Sequence, residues 1–327
     1  MIDKGSYSFS TCWNIKRHTS GAAMIEEIGG LGFRRVELNY NVTADMLAEI
    51  EPMIEAGRIG ISSVHNVFPY VEDRDYDTDS VMLGFDDAEK RQKAVQLLLR
   101  TMEYAHRYGA EAVVVHPGEV PFESNIDAQL KLLYREQGKD SPAYRSLWEA
   151  MLERRERLSP VYAGRIRDSL EQVSEVAARK GWNVMIGIET RSRCYQIPTL
   201  QEAKLICEGL RGGPVRLWYD IGHAMMMERM GLYSNGEELR ELLPYLYGVH
   251  IHETLDLSDH WCPYVHSGRE DAFDPYLEAI GRAAVRVYEL KDKCTAEDIE
   301  RSHTAIAAKL EQRFRRISDG TESTDRG

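Results

Sequence analysis

Ten histidines occur in the 327-residue chain, and seven of them lie in or just beyond short β-branched runs: His65, His116, His223, His250, His252, His260 and His266. Three carboxylic residues, Glu189, Asp220 and Glu289, stand toward the ends of similar runs. Near neutrality an imidazole either moves protons or offers a lone pair to a metal, and a carboxylate can do either while carrying charge. Residues of both kinds gathered in one place are equipped for metal-assisted chemistry, provided the fold brings the runs together.

The elements that would do so are repeated β-α units. Short runs rich in Val, Ile and aromatic residues alternate with longer segments whose apolar residues recur every three or four positions, the pattern of a parallel sheet covered by helices. Strands are expected near 7–11, 35–40, 60–66, 112–117, 184–190, 215–221, 248–253 and 285–290, with helices including 44–57, 88–109, 165–181, 200–210 and a closing one near 296–314. Eight such strands predict an α/β fold, a (β/α)8 TIM barrel. One barrel domain is expected over 1–315, followed by a polar tail, 316–327, expected to be disordered. The segment from Gly118 to Trp182 is too long for one helix and loop; with a charged helical stretch near 147–157 and Pro160, it predicts an extended helical excursion after strand 4, over the barrel mouth. An acidic loop, 70–84, should follow the third strand.

Residues of a barrel strand alternate between the interior and the helix-facing side, so apolar residues reveal the register. In the seventh run Val249 and Ile251 face the helices, leaving Gly248, His250 and His252 inside. In the sixth, Leu217, Tyr219 and Ile221 face outward and Asp220 inward; in the fifth, Ile186 and Ile188 leave Gly187 and Glu189 inside. The same parity turns Ser63 and His65, Val114 and His116, and Val287 and Glu289 into the barrel. Inward carboxylates are costly to bury without a cation, and Glu189, Asp220 and Glu289 would crowd one another. A mixed imidazole and carboxylate set suits Zn2+, Mn2+, Fe2+ or Co2+ better than Mg2+ or Ca2+, which prefer oxygen ligands throughout.

Each residue also has a plainer reading. His65 or His116 alone is more often a hydrogen-bonded pocket residue than a ligand. His250, deeper in its strand than His252, reads as packing or as support behind a ligand. His18, His106 and His303 are assigned nothing. The acidic stretch 72–79 and the cations Arg154, Arg155 and Arg157 read as solvated surface. Trp13, Trp218 and Trp261 are candidates for stacking on a sugar or base at the mouth, although packing is the commoner role of Trp. The net charge of −12 disfavours nucleic acid and acidic membranes as partners. Five cysteines with no C-x-x-C pair argue against a disulfide framework or a zinc finger and fit a reducing compartment. With no membrane-length apolar run and no secretory pattern at Met1 to Ser10, the expectation is a cytoplasmic protein acting on a small molecule, with no membrane partner and with homo-oligomerisation left open.

The ordered motifs V-V-V-H-P-G at 113–118, G-I-E-T at 187–190, W-Y-D-I-G-H at 218–223, V-H-I-H-E at 249–253 and Y-E-L-K at 288–291 mark a wider likeness. Over about 7–291 the chain resembles the xylose-isomerase-like TIM-barrel superfamily, which holds sugar isomerases and epimerases together with endonuclease IV. The resemblance implies a principal metal held by Glu189, Asp220, His252 and Glu289, the second histidine of H-I-H being the ligand. Its isomerase and epimerase side implies Mn2+, Zn2+ or Co2+ as cofactor and a sugar or sugar-phosphate-like substrate, with Glu189 and Glu289 moving protons and His223 contacting a substrate oxygen. Arg191 and Arg193, just beyond the fifth strand, could hold a phosphate or carboxylate of that substrate, with His65 and His116 alongside. Its endonuclease IV side implies the alternative, a zinc-dependent phosphoester hydrolase, with His65, His116, His223 and His260 completing further metal positions around Glu189. The D-x-H pair of that family is missing in that form; the segment D-L-S-D-H-W-C-P-Y-V-H-S-G offers Asp259 with His260, or His266, at altered spacing. The acidic balance then leaves a small phosphodiester rather than DNA as substrate. Dehydratase or lyase chemistry ranks behind both.

Overall fold

The computed structural model describes residues 4–322. All eight expected strands form, with ends shifted by a residue or two: β1 (Ser8–Ser10), β2 (Arg35–Leu38), β3 (Gly60–His65), β4 (Ala112–Val115), β5 (Met185–Glu189), β6 (Val215–Asp220), β7 (Leu246–Ile251) and β8 (Val285–Tyr288). They pair in the order β1-β8-β7-β6-β5-β4-β3-β2 and close on themselves, every pair parallel. Outside lie α1 (Gly21–Gly30), α2 (Ala44–Glu55), α3 (Ala88–Arg107), α4 (Ile126–Gln137), α5 (Pro142–Lys180), α6 (Leu200–Gly209), α7 (Ile221–Met230), α8 (Asn235–Leu242), α9 (Leu277–Arg282) and α10 (Ala296–Glu322). The chain is a (β/α)8 barrel.

The alternation of side chains builds two cores. Val64, Val113, Ile186, Leu217 and Val249 face the helices and join the large outer core. Ala112, Val114, Trp218, Val285 and Val287 fill the barrel interior. Trp218 lies across that interior, and Gly187 and Gly248 on the flanking strands make room for it. A Cβ on Gly248 would stand 2.2 Å from the indole and one on Gly187 2.8 Å. Trp218 is therefore the floor beneath the polar groups, not a stacking residue at the mouth.

The excursion between β4 and β5 consists of α4 and α5. Side chains of Asn125 and Ser141 cap their N-termini, and Gly181, at φ 70°, ends α5. Helix α5 continues through Pro160 and joins the expected helical segments 147–157 and 165–181 into one. An interior proline forfeits a hydrogen bond and costs about 3 kcal/mol; burial of Met151, Tyr162, Ile166, Leu170 and Val173 along the helix offsets that. Ile126, Leu130, Tyr144 and Met151 pack with Met226, Met227 and Met230, so the excursion braces α7, the helix that starts beside Asp220. The closing helix runs to Glu322, which makes 316–322 helical rather than part of a disordered tail; 323–327 lie outside the described residues. Among the described residues, no helix is long and apolar enough to cross a membrane.

Candidate metal centre

The C-terminal ends of the strands deliver the polar residues. His65 ends β3, Glu189 ends β5 and Asp220 ends β6, while His116 and Glu289 follow β4 and β8 by one residue and His250 lies within β7. All six are buried.

Glu189, Asp220, His250 and Glu289 each place a ligand atom within 4.8 Å of the others. His250 Nδ1 is 3.3 Å from Glu189 Oε1, 3.4 Å from Asp220 Oδ2 and 3.2 Å from Glu289 Oε2. Across the ring, Nε2 donates to the Glu37 carboxylate at 3.1 and 3.2 Å, and Ser63 Oγ donates to Glu37 at 2.8 Å. Glu37 thus keeps a proton on Nε2 and turns Nδ1 toward three carboxylates, an arrangement common behind metal-ligating histidines. Burial opposes charge on His250, yet Glu289, Glu37 and Glu189 draw it well above the ordinary imidazole range. Burial would raise Glu189 and Asp220; instead His116, Arg191 and His250 hold the first, and His223 and His252 the second, well below the usual carboxylate range. Carboxylates converging on one imidazole nitrogen form a buried group that could hold a cation, and this nitrogen and oxygen donor set fits a transition divalent metal.

The expected ligand His252 stands on the other side of Asp220, while His250 lies among the three carboxylates. The His260 backbone N–H donates to His252 Nδ1 at 2.9 Å, so the imidazole proton sits on Nε2, which donates to Asp220 Oδ1 at 2.8 Å and lies 3.0 Å from Oδ2. Both nitrogens of His252 are engaged, one by the His260 amide and the other by Asp220. Asp220 Oδ1 also accepts the His223 N–H at 2.8 Å, capping α7. Gly222 makes this fit possible, because a Cβ there would stand 2.0 Å from His252 Nδ1.

The four histidines expected around a second metal divide into two groups. His65, His116 and Glu189 form one, each with a ligand atom within 4.8 Å of the others. Backbone carbonyls can only accept, so His65 Nδ1 donates to Asn66 O at 3.2 Å and His116 Nδ1 to Thr78 O at 3.0 Å. Their Nε2 atoms then converge on Glu189 Oε2, at 3.2 and 2.6 Å. Burial and the adjacent Arg191 push His116 down to about 3, so its lone pair rather than a proton faces that oxygen. The other group holds His223 and His260, with His252 beside them. His223 Nδ1 donates to Thr190 O at 3.2 Å and His260 Nδ1 to Glu289 O at 2.9 Å, which leaves both Nε2 atoms open. Asp259 Oδ2 lies 3.8 Å from His223 Nε2. His260 and Asp259 arrive on the hairpin of Glu253–Leu255 with Ser258–Trp261.

Residues 25–284 match the family described as xylose isomerase-like TIM barrel. The chain belongs to that family. Among solved structures, apo 3-keto-D-glucoside 4-epimerase, YcjR, from E. coli is 17% identical, with 93% of this chain and 99% of that one covered at a TM-score of 0.62. A D-tagatose 3-epimerase-like protein is 16% identical, covering 95% and 99% at 0.65. D-psicose 3-epimerase with D-tagatose from Clostridium cellulolyticum H10 is 14% identical, covering 94% and 96% at 0.57. At such identities the likeness carries the fold alone. A comparison with curated protein sequences finds no match.

Within this xylose isomerase-like barrel, Arg191 is already engaged by neighbouring side chains. It bonds Asp79 Oδ1 at 2.8 Å, lies 3.4 Å from Glu189 Oε1 and touches His116 Nε2. Asp79 also holds Arg193 at 3.1 Å and Gln196 Nε2 at 3.1 Å. The acidic loop is thus no simple solvated surface, since Thr78 and Asp79 tie it to the centre. Arg155, also read as surface, is buried against Glu202 at 2.6 Å. Trp13 is buried with its Nε1 on Cys294 O, Trp261 lies under Lys291, and His266 stands apart, 3.6 Å from Asp298. Sequence reasoning missed Glu37 as a supporting residue, although Val36 and Leu38 face outward and parity alone turns Glu37 inward.

Proposed function

We propose that the chain is a divalent-metal-dependent isomerase or epimerase acting on a sugar-like small molecule. The observation that supports this best is the meeting of Glu189 and Glu289 at one buried centre, reached from β5 and from the end of β8 with β6 and β7 between them. Glu189, Asp220, His250 and Glu289 would hold the ion, and Mn2+, Zn2+ or Co2+ suits their donors. Bound there, it would supply Lewis-acid polarisation of a substrate carbonyl and neighbouring hydroxyl, easing cleavage of the adjacent C–H bond.

The chain's own residues do the rest. Glu189 takes the proton from carbon through a carboxylate oxygen, and Glu289 returns one on the other face. Proton transfer by positioned carboxylates typically contributes about 10²–10⁴-fold. Asp220, fixed by His252 and by the His223 amide, stays ionised and oriented while the two glutamates change state. His223, on the open side, contacts a substrate oxygen. Trp218 closes the barrel below, so substrate enters from the strand C-terminal side. The neighbours named for keto-glucoside, tagatose and psicose epimerisation support the same substrate class. Five free thiols support a cytoplasmic setting.

The test is solvent exchange. Metal-loaded protein incubated with a panel of ketoses in D2O should incorporate deuterium beside the carbonyl, read by NMR. Phosphodiester cleavage with no exchange in any ketose would overturn the reading.

A second reading, zinc-dependent hydrolysis of a small phosphodiester, has one specific observation behind it. Glu189 aims Oε1 at His250 and Oε2 at His65 and His116, as a carboxylate shared by two cation positions would. Metal analysis separates the two: about one ion per chain supports proton transfer on a sugar, and two or three support hydrolysis.

A further inference from the structure

Beside the centre, the turns after β2 and β3 and the stretch 70–78 enclose a cavity of about 350 Å³. That lies within the rough 300–1,000 Å³ range of small-molecule pockets. Its inner wall is shared with the histidine groups. The Tyr40 ring is 5.2 Å from that of His65 and 6.4 Å from that of His116, and Thr78 is the residue that accepts from His116 Nδ1. No residue assigned to proton transfer lines this cavity.

Its chemistry is that of a neutral polyol site. Tyr40 and Tyr70 supply aromatic rings along the lining, and Tyr76, buried beneath Lys93, backs it. The Tyr40 hydroxyl makes no hydrogen bond among the described residues. Asn41 turns both its backbone N–H and its side-chain Nδ2 to Asn39 Oδ1 at 3.0 Å, which leaves its own Oδ1 as an acceptor. Glu72, Asp73 and Asp77 stand against the lining cation Arg74 and against Lys93, which pairs with Asp73 at 2.9 Å. The arginines nearest the centre, Arg191 and Arg193, are already bound to Asp79. An anionic group entering here would meet net negative charge, whereas a sugar ring could lay its C–H face on Tyr40 or Tyr70 and donate its hydroxyls to Asn41, Glu72 and Asp77.

We propose that this cavity is a second sugar subsite, so that the substrate is a glycoside carrying a neutral second ring rather than a phosphorylated monosaccharide. The proposal rests on the sugar reading above. Calorimetric titration of the metal-loaded protein with glucose, glucose 6-phosphate, cellobiose, maltose and trehalose tests it. The tightest of the three disaccharides should bind at least about tenfold more strongly than glucose. Glucose 6-phosphate should bind no better than glucose. Asn41→Trp places an indole from an exposed position into the cavity and should reduce the best disaccharide to the level of glucose. Glucose binding as well as every disaccharide, or glucose 6-phosphate binding tightest, overturns the subsite and leaves the sugar reading standing. Binding of none of the five overturns the subsite, and the ketose exchange assay decides the sugar reading separately.

Discussion

Glu37→Gln preserves the shape of a fully buried side chain and removes its charge. In the native structure the carboxylate accepts His250 Nε2–H at 3.1 and 3.2 Å and Ser63 Oγ–H at 2.8 Å. A glutamine can offer His250 one neutral acceptor in place of two charged ones, so the imidazole becomes a weaker donor to a metal and is less firmly held in the tautomer that exposes Nδ1. Loss of such a supporting carboxylate typically costs about 10–100-fold in metal affinity, which is about 1.4–2.7 kcal/mol. Metal-free stability should fall, because His250 holds the Glu37 carboxyl below its ordinary value and the substitution removes one partner of that buried charged pair. The assay is competition for Mn2+ or Zn2+ against a chromophoric chelator, run on both proteins, with urea unfolding of the metal-free forms alongside. A change in Kd of less than about twofold would refute the reasoning, because it would mean that Glu37 does not set the tautomer of His250.

Glu189→Gln should lower turnover by about 10²–10⁴-fold or more while far-UV circular dichroism stays unchanged, since it removes a charge and a proton acceptor without changing volume; retained turnover would sink the assignment. Gly248→Ala should destabilise the barrel by about 1–3 kcal/mol in urea titration, because its Cβ would stand 2.2 Å from the Trp218 ring; a neutral result would mean that the indole can move aside. Burial, then Asp79, pushes Glu119 up to about 7. The native carboxyl therefore holds its proton above its unfolded value of about 4.5, and stability falls as pH rises between the two. Glu119→Gln should match wild type near pH 4 and exceed it near pH 8 by about 1–3 kcal/mol, and a wild-type advantage at pH 8 would count against this.

The barrel was legible because its strands carry Val, Ile or Leu on the helix side at alternate positions, and the same alternation turned Glu189, Asp220, Glu289, His65 and His116 inward. Parity could not choose between His250 and His252, which share a face. What distinguishes them in the structure comes from far away in the chain: Glu37 reaching across the interior to His250, and the 253–261 hairpin bringing the His260 amide to His252 Nδ1. Neither leaves a local signature. The acidic loop could not be told from ordinary surface because the partners that draw Asp79 inward, Arg191 and Arg193, lie beyond β5. The segments expected at 147–157 and 165–181 form one helix through Pro160, held by the burial of residues on both sides of it.

The most direct measurement is anomalous diffraction at the metal edge from crystals of the native-purified protein. The expected result is a peak ligated by Glu189, Asp220, His250 Nδ1 and Glu289, with His252 Nε2 donating to Asp220. A peak ligated by His252 with His250 left on Glu37 alone, or no peak within the barrel, would contradict it.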